Sequence, residues 1–351
     1  MGFICLAFGI YSGLLRLGYV IPWQSDGLAF DHGTLIVSGF LGTVISLERA
    51  VAIGKRWAYF GPLCAALGGL SFIIGLSTFV SITLTIIAGV ILSITTTYIF
   101  IHQRALFTFT LLLGSLSWLA GNMFWLNGFT SINLMPWWIS FLVLTIAGER
   151  LELSRVLPPS SNSKLAFVII IILFLTGALL ATLAKSINVQ MFSFALLALF
   201  FWFLRHDVAR HTIKQRGLTR YIAVCLILGY LWLLIGSLIG LFTQPLLLGS
   251  TYDAFLHTIL VGFVFSMIFG HAPIIIPAIV NIKIPYQPIF YLPLTVLHVA
   301  LIVRIAGDLM LHPVCRSVGG ALNAIAITLF IITMLSTIVY NKKKELACIK
   351  H

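Results

Sequence analysis

The chain has 351 residues, is 60% hydrophobic and only 9% charged, and carries a formal net charge of +12. A soluble core cannot hide that much apolar side chain, so a water-soluble globular protein is excluded and a polytopic membrane protein is expected. The basic excess then reads as loops facing anionic lipid, and no nucleic-acid partner is expected.

The N-terminus lacks a basic n-region and runs straight into apolar sequence, so a cleaved signal peptide is not expected. Cys5, Cys64, Cys225, Cys315 and Cys348 are scattered, with no CxxC or CxxCH, against a disulfide framework, a zinc knuckle or covalent c-type haem. A membrane span needs ~20 residues. Twelve are predicted, at 3–22, 32–53, 58–78, 80–101, 105–127, 131–149, 164–184, 187–204, 219–243, 252–276, 286–307 and 318–340.

With both termini cytoplasmic, 17 of the 21 Lys and Arg residues fall on the cytoplasmic side, and only Arg16, Lys185, Arg304 and Arg316 fall elsewhere. Asp26, Asp31, Asp253 and Asp308 land on the opposite side, as that bias requires. The expected fold is therefore an all-α polytopic membrane protein of about twelve transmembrane helices, a single helical domain over 1–351 with no soluble domain. No phosphate loop or strand–GxGxxG–helix unit is present. His206 and His211, in the basic connector Arg205–Arg220, read as solvated loop residues, as do His351 and His102.

The second span begins at His32 and continues on one face through Gly39, Thr43, Ser46 and Ala50. Such a stripe of small side chains either lets another helix approach closely or leaves room for a planar macrocycle. It ends in Glu48-Arg49, echoed by Glu149-Arg150 at the end of the sixth span. Neighbouring residues point ~100° apart on a helix, so each Glu is expected to pair with another helix's Arg. A structural ion-pair network is the preferred reading, and a proton uptake point the alternative.

The tenth span carries His257 and His271, fourteen residues apart. As an α-helix it would put both imidazoles on nearly one face, ~21 Å apart. Pro273 and Pro277 follow His271, so a kink or unwinding is expected there, with His271 either bonding a freed carbonyl or serving a second metal or proton site. The eleventh span adds His298, and its Arg304 and Asp308 are one turn apart. These two can pair directly, or Arg304, like Arg16, can face a carboxylate such as a haem propionate. On this topology His32, His257 and His298 share the outer half of the membrane, where each needs a partner. Neutral imidazole ligates haem iron, copper or zinc, and bis-histidine haem takes one ligand from each of two helices.

HGTLIVSGFLGTVISLERA and HTILVGFVFSMIFGHAPIIIPA resemble a family of bacterial twelve-helix membrane proteins that is distantly similar to the NnrS family. NnrS proteins are haem- and copper-containing membrane proteins associated with denitrification and nitric oxide stress. The likeness rests on His32 with Gly39–Thr43 and on His257, Gly262 and Gly270-His271. The architecture also resembles subunit I of haem–copper oxidases, where helices 2 and 10 supply the low-spin haem ligands. That implies His32 and His257 as axial ligands. The copper-binding histidine trio of helices 6 and 7 has no counterpart here, so an oxygen-reducing centre is not implied, and Ala272-Pro273 departs from the Thr-Gly of NnrS proteins.

The leading expectation is an integral protein of the bacterial inner membrane binding b-type haem between His32 and His257, with Arg304 toward a propionate. His298 and His271 are further metal candidates, and copper a further metal. Its partners would be the lipid bilayer, an electron donor protein and a small gas such as nitric oxide. The alternative is a secondary transporter for a metal ion or protons, with a broken tenth helix lining its site. An inverted repeat would accompany that, yet only the ISLER/IAGER echo, which is parallel, is found.

Overall fold

The computed structural model describes residues 1–22, 31–154, 160–183, 189–243, 249–280, 282 and 284–349. Asp26, Arg155, Lys185, Lys283, Lys350 and His351, which entered the charge and histidine readings, lie outside the described residues. Helices occupy all twelve predicted stretches, and no strand occurs among the described residues. They are α1 (Gly2–Arg16), α2 (His32–Ile53), α3 (Phe60–Ile73), α4 (Thr78–His102), α5 (Leu106–Leu126) and α6 (Ser131–Leu153). There follow α7 (Ser161–Leu183), α8 (Gln190–His206), α9 (Leu218–Phe242), α10 (Ser250–Ile279), α11 (Pro288–Leu309) and α12 (Pro313–Ile349). Among the described residues nine, all but α1, α3 and α8, are long and apolar enough to cross a membrane. The protein is an all-α membrane protein.

The chain divides into two compact units, Met1–Leu153 with Phe174–Asn188, and Ser154–Leu173 with Val189–His351. In the first, α2 packs against α1 and α3, α3 against α4, and α5 against α4 and α6. In the second, α9 packs against α8 and α10, and α11 against α10 and α12. Hydroxyls inside these apolar helices bond back to their own helix, as in Thr95 to Ile91 O at 2.8 Å and Thr97 to Ser93 O at 2.7 Å, which satisfies them without water.

Neither α2 nor α10 is a uniform α-helix. After His32–Thr34, α2 passes through a seven-residue π-helix, Leu35–Leu41, before resuming at Gly42. After Ser250–His257, α10 passes through an eight-residue π-helix, Thr258–Phe265. π-Helix is rare and is found frequently at functional sites. Its i→i+5 bonds wind more slowly than 3.6 residues per turn, so the expected shared face of His257 and His271 does not hold.

The unwinding expected at the prolines of α10 does not occur. Ser266–Val280 stays helical through Pro273 and Pro277. α2 ends at Gly54, whose φ of +63° is the left-handed C-cap that glycine adopts without penalty.

Candidate functional site

The His32 ring is set by α1. Its Nδ1 lies 2.6 Å from Gly9 O, a geometry that puts the ring proton on Nδ1. A Cβ at Gly13 would come within 2.8 Å of His32 Cε1, so only glycine leaves room for the imidazole. Further along α2, a Cβ on Gly39 would meet Cys5 at 2.9 Å, Thr43 packs on Gly2 at 3.2 Å from its ideal Cβ, and Ser46 faces Gly61 of α3. The small-residue stripe is thus filled by α1 and α3. It serves close helix packing, so the macrocycle expected along this stripe has no room there, and a haem held by His32 would lie off this face.

In the second unit, His257 is the last residue before the π segment, and its Nδ1 lies 2.7 Å from Asp253 O. His271 follows the same pattern, with Nδ1 2.6 Å from Met267 O. The carbonyl freed by Pro273 belongs to Phe269, so His271 does not satisfy it. In all three rings a proton on Nδ1 makes Nε2 the lone-pair nitrogen, the arrangement of a metal-ligating histidine whose other nitrogen donates to a carbonyl.

His298 is the reverse case. The Trp232 indole N–H donates to His298 Nδ1 at 2.8 Å, with the two rings within 8° of parallel. The ring proton is then on Nε2, which is buried and has no hydrogen-bond partner, and His298 itself is 9% exposed. A metal at Nε2 would require the proton to move to Nδ1, against the Trp232 donor. His298 is therefore set up as a hydrogen-bond donor.

Arg304 lies in a four-charge cluster built on α10, α11 and α12. It is 3.7 Å from Asp253 and 3.9 Å from Asp308, and Arg316 is 2.5 Å from Asp253 and 3.0 Å from Asp308. Gly307 and Gly319 make it compact, since a Cβ on either would collide with the backbone at Arg316 or Arg304 respectively. Two carboxylates already engage the Arg304 guanidinium, so the site assigns it to this cluster and not to a propionate. Asp253 connects the cluster to His257, its side chain bonding the arginines and its carbonyl holding the imidazole.

In the first unit, Arg49 NH2 bonds Glu149 across α2 and α6 at 2.6 Å and its own neighbour Glu48 at 2.9 Å. The interhelical pair is as expected; the neighbour bond is not, and the long arginine arm makes it. His206, expected to be solvated, is half-buried at the end of α8, bonded to Ser163 at 2.8 Å and stacked 5.0 Å from Trp202. His211 and His102 are exposed. Among the described residues no three of His, Cys, Asp and Glu come together to hold a metal ion.

Residues 1–339 match the model of a domain of unknown function, DUF8744. The chain belongs to the DUF8744 family. No curated protein and no solved structure matches it. In this DUF8744 chain, sequence reasoning missed Trp232, Arg316 as the partner of Asp253, and both π segments. The one usable signal was glycine: Gly39 and Gly262 each lie inside a π segment where a neighbouring side chain fills the Cβ position.

Proposed function

We propose that the protein is an integral membrane protein that would hold a b-type haem, with His32 of the first unit and His257 of the second as the imidazoles that would serve it. The supporting observation is that each of these histidines has Nδ1 against a backbone carbonyl and opens onto a π-helical segment. That arrangement fixes the tautomer in which Nε2 can ligate iron. A protein-only copper or zinc centre would need a ligand group that the described residues do not form. A porphyrin supplies four nitrogens itself and asks the protein only for axial imidazoles.

When bound, the haem supplies one-electron exchange. Two imidazole donors would favour electron exchange with a donor protein over binding of a small gas such as nitric oxide. Asp253 positions His257 through its carbonyl, and the Asp253–Arg304–Asp308–Arg316 cluster in turn fixes Asp253. His298, in its Nε2–H tautomer, would serve as a hydrogen-bond donor and not as a second metal ligand. The wider proposal keeps twelve spans, both termini cytoplasmic, in the bacterial inner membrane.

The transporter alternative rested on a Pro- and Gly-interrupted end of α10, and that end, Ser266–Val280, is helical through both prolines. The two readings separate on one preparation. Full-length protein expressed with ample haem is expected to show a Soret band and low-spin visible bands. His32→Ala and His257→Ala each lose the low-spin spectrum, while Arg304→Gln retains it. A chromophore-free protein that drives ion uptake in proteoliposomes would replace the haem reading with the transporter.

A further inference from the structure

An open cleft of about 420 Å³ lies between the start of α9 and the start of α11, lined by Arg216, Gly217, Arg220, Val224, Tyr286 and Tyr291. Its volume falls within the range of small-molecule sites, ~300–1,000 Å³. None of the six lining residues is acidic. Among the described residues neither Arg216 nor Arg220 has a hydrogen-bond or ion-pair partner. The one acid of the preceding loop, Asp207, is turned to other work: it accepts from Ala209 N at 2.6 Å and from the Tyr230 hydroxyl at 2.9 Å.

Tyr286 and Tyr291 form one wall of the cleft. Their rings pack around buried Tyr221, with Tyr291 edge-on to it at 5.3 Å and 87°, and Tyr286 at 6.2 Å. Gly217, at φ +66°, is the N-cap of α9, so the first amides of a 25-residue helix add their positive end to the two guanidiniums. A Cβ at Gly217 would stand 4.0 Å from Tyr286 Cδ1, at the edge of the cleft.

We infer that this cleft binds a phosphate-bearing anion. Arginine forks match phosphate oxygens two at a time, the phenols donate further hydrogen bonds, and the absence of a lining carboxylate removes the competing ligand. On the proposed topology both loops are cytoplasmic, where an anionic phospholipid headgroup is the nearest source; a free phosphate compound presents the same group.

The test is titration of the detergent-solubilised full chain with short-chain phosphatidylglycerol, short-chain phosphatidylcholine and pyrophosphate, reading the thermal midpoint. Phosphatidylglycerol is expected to raise the midpoint saturably and phosphatidylcholine not to. In Arg216→Gln/Arg220→Gln the apparent affinity falls roughly tenfold or more. Lys214→Gln, an exposed neighbour that does not line the cleft, keeps it. A saturable pyrophosphate response lost in the same variants supports the site and assigns the free anion. A response that does not saturate, that survives the double substitution, or that Lys214→Gln weakens equally overturns it.

Discussion

Arg49 shows how a single buried charge constrains the first unit. It is 8% exposed, shared between Glu48 and Glu149, and its Nε has no hydrogen-bond partner. Beside it is a cavity of about 10 Å³, close to the size of one water, that also meets Thr96, Ser115 and Thr145. Glu149→Ala leaves the guanidinium without its interhelical partner and is expected to cost about 3 kcal/mol, read by thermal unfolding in detergent. Arg49→Met/Glu48→Gln/Glu149→Leu, which removes all three charges, is expected to recover most of that loss.

Asp31, just before α2, is a second test at this scale. Burial raises its carboxyl to about 6, above the ordinary Asp value. A carboxylate raised on folding favours the native state while protonated and loses that contribution as pH rises from about 4 through 6. Asp31→Asn is therefore expected to melt higher than the parent at pH 7.5, with the difference closing toward pH 4.

The Glu-Arg dipeptides were legible because charges at a span boundary must find partners. The Trp232–His298 bond was not, since nothing in the sequence marks residues 66 positions apart as neighbours.

Among the elements, α2 and α10 carry the distinctive geometry, and periodicity could not reveal it. A run that is apolar on every side has no hydrophobic period from which to distinguish i→i+4 from i→i+5 winding. The glycines were readable, but their reason was not. Gly262 is required because the Trp232 ring of α9 occupies its Cβ position. Gly262→Ala is expected to cost about 1–3 kcal/mol and to displace Trp232. The imidazole nitrogen NMR shifts of His298 report it: Nδ1 is a lone-pair acceptor in the parent, and the variant shows a mixture of tautomers. An unchanged His298 signal in a destabilised Gly262→Ala would mean that Trp232 does not set the tautomer.

At the scale of the whole molecule, the helix positions were readable because twenty apolar residues leave few options in a membrane protein. The difficult 58–101 stretch resolves into α3 and α4, with Gly75 at φ +73° after the first and Ser77 capping the second. The division into two compact units was not readable, because one of its boundaries, Leu173/Phe174, falls inside the uniformly apolar α7. Each unit carries one helix in which a histidine precedes a π segment, and the haem proposal depends on both histidines.

The most direct measurement is the reduced-minus-oxidised absorption spectrum of the purified full chain, with haem and protein quantified on the same sample. The proposal predicts low-spin haem bands at about one haem per chain, lost when either His32 or His257 is replaced by Ala. A haem-replete preparation with no Soret band, or a low-spin spectrum that survives both substitutions together, would contradict it.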